Sequence, residues 1–275
     1  MLHQKCLLSA IAVTAVTAFG ISGAQADDAK PSFVADGVFS VCQDPTFPPM
    51  EFASETDGSP VGVDVDIVKA LAERWGVSES TVVMDFNGLL PSLSAERCDA
   101  VVSGATLTAE RQKTFDGIGY LNTFIVVIAK AGAAPFANMD DLSGKTVAVQ
   151  SGTTYVDRAE AMNGELTAKG LEPMNIQTYP KQTDAIQQLL VGRVDGVFSQ
   201  DTEVAYREFQ NPGQFSTVWV VPQETFQPYA MYIRKTDGDK AAVEAAVQGL
   251  IADGAMDEII AKWRLQPSQL DGIRK

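Results

Sequence analysis

From Ala100 to Arg111 the chain reads as a strand that ends in a small-residue turn and starts a helix. The apolar run Ala100 to Val102 has the length and character of a buried strand. It breaks at Ser103-Gly104, and Thr108 is suited to cap a helix whose first turn carries Arg111. A junction of this kind belongs to an open α/β sheet, which binds ligands at the carboxyl ends of its strands. Free N–H groups, hydroxyls and a guanidinium gathered there suit a carboxylate. A second junction repeats the idea: Val147-Ala148-Val149-Gln150 runs into Ser151-Gly152-Thr153-Thr154 and then a helical pattern. Two such turns, far apart in sequence, predict two lobes closing on one small anionic group.

The rest of the chain alternates in the same way. Strands are predicted over 38–42, 82–84, 100–102, 125–129, 147–150, 176–179, 194–198, 218–221 and 231–233. Helices are predicted over 64–75, 89–95, from 155 onward, over 183–190, and twice within 240–264, with a break at Asp253-Gly254. The first of these places Ile67, Ala70, Leu71 and Trp75 on one face and stops at Gly76. Such an order implies α/β architecture with mostly parallel sheets. The chain changes lobes in irregular stretches, for which 120–124 and 226–229 are the candidates.

The first 26 residues read as a secretory signal. Lys5 supplies the positive start, 7–19 the apolar stretch, and Ala24-Gln25-Ala26 the cleavage site, with the cut after Ala26. The apolar run is shorter than the ~20 residues a membrane span needs, and the mature product is expected to be soluble and exported. With 21 Lys and Arg against 35 Asp and Glu the chain is acidic, at a formal net charge of −14. No basic stripe is available for nucleic acid. The single histidine, His3, lies inside the signal. The mature chain therefore has no Ser-His-Asp or Cys-His catalysis and no His-ligated metal. No metal and no cofactor are expected. Two cysteines remain, Cys42 and Cys98, either a disulfide of an exported protein or two buried thiols.

Several segments together resemble one family. Asp44-Pro45-Thr46-Phe47-Pro48-Pro49-Met50-Glu51-Phe52, Val61-Gly62-Val63-Asp64-Val65-Asp66, Phe86-Asn87-Gly88-Leu89-Leu90-Pro91-Ser92-Leu93 and Ser103 to Arg111 follow one another in its order. Gln150 to Thr154, Gly192-Arg193-Val194-Asp195, and Asp253-Gly254 with Lys262-Trp263 continue it. The pattern is similar to the family 3 extracellular solute-binding proteins, the periplasmic receptors of amino-acid ABC importers. The resemblance implies a type II periplasmic-binding-protein fold: two α/β lobes, two hinge strands, and a ligand in the cleft. Lobe one would comprise 33–121 and 229–275, and lobe two 125–225.

The resemblance also implies a site. Arg111 would grip the ligand's α-carboxylate through two parallel hydrogen bonds, a geometry lysine cannot copy; a surface ion pair with Glu110 or Asp116 is the alternative. Ser103, Gly104 and Thr106 would contact the ligand's polar head, and Thr153 and Thr154 would close on the carboxylate from the other lobe. Phe47 and Phe86 would flank the ligand's side chain, or pack in the core. Asp44 would meet a ligand side chain, or cap the turn before Pro45. The family places an aspartate at the α-ammonium, five residues beyond the position of Asp195. Here that position is Gln200, with Asp201 next, so either residue is a candidate.

Three functions follow. The first is capture of a small polar solute, most simply an amino acid, by a monomer that delivers it to a membrane permease. The second is a cyclohexadienyl-dehydratase-like enzyme on the same fold, with Asp44 or Asp201 as general acid. The third is a sensor module presenting its closed form to a receptor.

Overall fold

The computed structural model describes residues 29–223 and 227–274. The predicted signal, with its Ala26 cleavage site, lies outside them. Among the described residues no helix is long and apolar enough to cross a membrane.

The first part of the chain runs β1 (Val38–Gln43), β2 (Thr46–Phe47), β3 (Glu51–Ala53), β4 (Pro60–Val61), α1 (Val63–Trp75), β5 (Ser78–Val83), α2 (Leu89–Ser94), β6 (Ala100–Val101), α3 (Ala109–Thr114) and β7 (Phe115–Leu121). The middle runs β8 (Ile125–Lys130), β9 (Thr146–Gln150), α4 (Thr154–Ala168), β10 (Asn175–Tyr179), α5 (Gln182–Val191), β11 (Gly196–Gln200), α6 (Asp201–Gln210) and β12 (Phe215–Val220). It ends with β13 (Tyr229–Arg234), α7 (Asp239–Ala252) and α8 (Ala255–Lys262).

Two five-stranded sheets result, in the orders β5-β1-β6-β13-β7 and β10-β9-β11-β8-β12, beside a small β2-β3-β4 sheet. The chain passes between the large sheets at 122–124 and again over 221–228. The sheets are mostly parallel in direction, as expected, but mixed: in each, four of the five strands run one way and one, β13 or β8, runs against them. In the first, β1 pairs parallel with β5 and β6, while β13 runs antiparallel to β6 and β7. In the second, β9 pairs parallel with β10 and β11, while β8 runs antiparallel to β11 and β12. The antiparallel members are the strands through which the chain enters or leaves each sheet, so they run against the βαβ units.

Each large sheet is covered on both faces by an apolar cluster. Trp75, Leu71 and Ile67 of α1 pack with Phe39 and Val41 on one face of the first sheet. Leu89, Leu93, Val101 and Tyr232 pack on the other. Helix α1 stops where Gly76 adopts φ 61°, and its N–H returns to Ala72 and Glu73 oxygens. Cys42 and Cys98 are disulfide-bonded, with Cα atoms 5.8 Å apart, and tie β1 to the approach of β6. Strand β5 extends the predicted 82–84 back to Ser78, through exposed and mostly polar residues at the sheet edge. The small β2-β3-β4 sheet, β7 and α6 escape the periodicity reading. Strand β7 carries Gly117 and Gly119, where a Cβ would press on Leu107 and on Pro228. Helix α6 is strongly polar, with only Thr202 and Glu203 buried.

Candidate functional site

A cavity lies between the carboxyl ends of strands from the two large sheets. On the first-sheet side Asp44 follows β1 and Ser103 follows β6. The Ser103 hydroxyl accepts the Asp44 N–H at 2.9 Å and donates to Glu51 Oε1 at 2.8 Å. The Gly104 N–H donates to Asp64 Oδ2 at 2.7 Å, and the Tyr120 hydroxyl donates to Asp64 Oδ1 at 2.6 Å. Gly104 has φ 53°, and a Cβ there would meet the Phe47 ring at 2.8 Å, so the turn needs glycine twice over.

Thr108 caps α3 by accepting the Arg111 N–H at 3.1 Å, which fixes where that helix begins. Arg111 is half-buried. Its Nη1 donates to the Thr106 carbonyl at 2.9 Å, and its Nη2 reaches across the cavity to the Gly152 carbonyl at 3.2 Å. Its guanidinium carbon lies 5.8 Å from the Phe86 ring centroid and 5.9 Å from that of Tyr232. The Tyr232 hydroxyl donates to the same Thr106 carbonyl at 2.6 Å.

The second sheet answers with the ends of β9 and β11 and the start of α4. Thr153 caps α4, accepting the Tyr155 N–H at 3.2 Å and donating to the Gln150 carbonyl at 2.7 Å. The Thr154 hydroxyl lies 3.3 Å from that of Thr106 across the cavity. Gln150 donates its Nε2–H to Asp44 Oδ2 at 2.8 Å, and the same oxygen accepts the Phe86 N–H at 3.1 Å. Gln200, the last residue of β11, is 1% exposed, and its Oε1 has no hydrogen-bond partner.

Burial dominates the acid–base behaviour. It pushes Asp44 up to about 6, with the Phe86 and Gln150 donors pulling the other way. Glu51 is held well above the usual carboxylate range, by burial first and by the adjacent Asp64 second. Burial also raises Asp64 to about 6 against the donors that hold it.

Of the residues singled out in the sequence, Asp44, Phe47, Phe86, Ser103, Gly104, Thr106, Arg111, Thr153, Thr154 and Gln200 line this one cavity. Asp201 does not. It is the first residue of α6, and its Oδ1 accepts the Thr123 hydroxyl at 2.7 Å and the Phe124 N–H at 3.0 Å. Asp201 borders a separate space of about 690 Å³ with Asn122, Phe124 and Arg264, beside the first chain crossing. As candidates for one role, Gln200 and Asp201 are therefore not equivalent, because adjacent residues at the strand's end face different spaces. Three further wall residues, Glu51, Gln150 and Tyr155, were not among the candidates. Glu51 and Gln150 lie inside the quoted motifs, where their polarity next to apolar neighbours is the available signal. Among the described residues no group of three or more His, Cys, Asp or Glu is placed to hold a metal ion.

The comparisons with known proteins agree on one class. The chain is 29% identical over 236 residues to the arginine-binding protein ArgT of Corynebacterium glutamicum, covering 86% of this chain and 77% of that one. It is 31% identical over 240 residues to an L-arginine-binding protein of Pseudomonas aeruginosa, covering 85% and 90%. It superposes with a TM-score of 0.74 on the amino acid ABC transporter substrate-binding protein AbpA of Streptococcus pneumoniae bound to L-arginine, at 26% identity, covering 83% of this chain and 94% of that one. All three are named as binding proteins, none as an enzyme. Residues 39–266 match the model of the bacterial extracellular solute-binding proteins, family 3, and the chain belongs to that family.

Proposed function

We propose that this protein captures a free amino acid in the cavity between the two sheets and delivers it to the permease of an ABC importer. It works in the periplasm as a monomer, after export and cleavage behind Ala26. Lobe one comprises 33–121 and 229–275, lobe two comprises 125–225, and the two passages of the chain from one sheet to the other, after β7 and before β13, act as the hinge about which the lobes close.

The observation that carries this reading is the position of Arg111. A half-buried guanidinium, braced by the Thr106 carbonyl and two rings, faces a cavity whose opposite wall is a helix start. It takes the ligand carboxylate with two of its N–H groups, while N–H groups at the start of α4 and the Thr154 hydroxyl complete the oxyanion's shell. Ser103 and Gly104 act chiefly as positioning residues, since the Ser103 hydroxyl and the Gly104 N–H are committed to Glu51 and Asp64. Phe47 and Phe86 enclose the aliphatic stem. Gln200 meets the ammonium through its free Oε1, and Asp201 holds the hinge instead.

The test is calorimetric titration of the exported protein, stripped of bound solute by unfolding and refolding, with the free amino acids. Mass spectrometry of whatever small molecule survives gentle purification runs alongside. Binding of at least one amino acid, with a rise in melting temperature that grows with its concentration, is the expected result. No heat and no thermal shift with any of them would remove the reading.

A further inference from the structure

Within that reading, we infer that the solute has no net charge at neutral pH: it is a zwitterionic amino acid with an uncharged side chain, and Gln200 is the residue that sets this preference. The inference comes from counting the charges that face the cavity. Arg111 is the one Lys, Arg or His residue in its wall. Asp44 and Glu51 are the carboxyl groups there. Glu51 is fully buried, accepts the Ser103 hydroxyl and lies against Asp64, so Asp44 is the carboxylate left for a ligand. Asp44 is 2% exposed, and its Oδ2 accepts from Phe86 and Gln150. Asp64 stands behind Gly104 rather than in the wall, with the Tyr120 hydroxyl and the Gly104 N–H on its two oxygens.

The second sheet adds nothing ionised. Gln150, Thr153, Thr154, Tyr155 and Gln200 form its share of the wall. The carboxylate next in sequence, Asp201, is spent on Thr123 and Phe124 in a different space. The wall thus offers a ligand one positive charge against one negative.

A cavity closed from both sides strips water from whatever it holds, and an unmatched charge there is costly. A neutral zwitterion adds one charge of each sign and leaves the enclosed set balanced. A cationic side chain adds a positive charge with no carboxylate left to meet it. An acidic side chain adds a negative charge with Arg111 already occupied. The unpartnered Gln200 oxygen accepts from an ammonium but does not neutralise it. The arginine in the names of the relatives belongs to those proteins; in this wall the second carboxyl group, Glu51, is committed to Ser103 and does not meet the extra positive charge that an arginine side chain brings.

Titration calorimetry at pH 7.5 decides the matter, using the stripped wild-type protein and Gln200→Asp. The probes are glutamine, serine, methionine and phenylalanine as the neutral set, arginine and lysine as the cationic set, and glutamate as the anionic one. In the wild type the tightest ligand should come from the neutral set, by about tenfold or more over arginine, lysine and glutamate. Gln200→Asp adds a carboxylate and should shift the ratio of arginine to neutral affinity by about tenfold or more towards arginine. Should Gln200→Asp unfold, as judged by its melting curve, Gln200→Glu serves the same purpose. Arginine, lysine or glutamate binding the wild type most tightly would overturn the inference while leaving amino-acid capture standing. So would an unmoved ratio in a folded variant. Absence of binding by every probe and every other free amino acid would instead remove the proposed function, and this inference with it.

Discussion

The two walls of the cavity are made of different material. On the first-sheet side stand Arg111, Asp44 and Glu51, with Asp64 behind them, and their side chains are locked by hydrogen bonds to Thr106, Phe86, Ser103, Gly104 and Tyr120. The second-sheet side presents two amides, two threonine hydroxyls and the start of a helix, and no ionised side chain. The ionisable groups sit where a covalent cross-link and a dense polar network restrain them. The neutral dipoles sit on the other sheet, which in the proposed function is the part that moves. On that reading recognition of charge and closure over the ligand belong to different parts of the chain, and mutations should separate them.

The sharpest way to break that division is Arg111→Ala. Loss of two charge-assisted hydrogen bonds should weaken amino-acid binding by about 4 kcal/mol, roughly a thousandfold in Kd. Circular dichroism should remain that of the wild type. Unchanged affinity in calorimetry would show that the first wall does not hold the carboxylate.

Next in size is the Cys42–Cys98 bond. It links positions 56 residues apart within the first lobe, so opening it by paired Cys→Ser substitution should cost about 2–4 kcal/mol of stability. Urea unfolding measures this. A change confined to ligand affinity would mean the cross-link shapes the wall without bracing it.

Asp44 gives a smaller effect with a defined sign. Its ordinary value of 3.8 rises to about 6 on folding. The native state therefore holds more protons than the unfolded chain between those limits, and stability falls as pH rises through that window. Asp44→Asn should match the wild type near pH 4 and exceed it at pH 7 by up to about 2 kcal/mol. Comparing the two proteins at each pH isolates Asp44 together with the influence of its charge on Glu51. An equal stability difference at both values would show that Asp44 does not ionise at a cost.

The smallest pair tests the neighbours at the end of β11. Gln200→Ala should lower affinity by about 1 kcal/mol and leave stability almost unchanged. Asp201→Ala should do the reverse, losing about 1 kcal/mol of stability because the Phe124 N–H and the Thr123 hydroxyl lose their acceptor. The opposite pattern in calorimetry and melting would return Asp201 to the ligand.

The strand–turn–helix junction at 100–111 was readable from the residues because strand, small-residue turn and cap follow one another locally. The disposition of Gln200 and Asp201 was not. Which of them faces the cavity depends on the last ladder pair, Gln200 with Ile125, a partner 75 residues away. The link from Asp44 to Gln150 is hidden for the same reason, since it forms only once two separately folded sheets face each other. Likewise, the approach of Cys42 to Cys98 follows from the β1–β6 register, in which Cys42 pairs with Val101. Glu51 was visible in its motif, but its raised pKa follows from burial in the folded chain and from the proximity of Asp64 in space.

One detail of the Arg111 geometry has a thermodynamic corollary. A free arginine side chain has many rotamers, and ordering one on binding costs affinity. Here the carbonyl of Thr106 and the faces of Phe86 and Tyr232 have already immobilised it during folding. The entropy is lost once, when the chain folds, rather than each time a solute arrives, so weakly adhering molecules meet a receptor that is already set, and capture can be fast as well as tight.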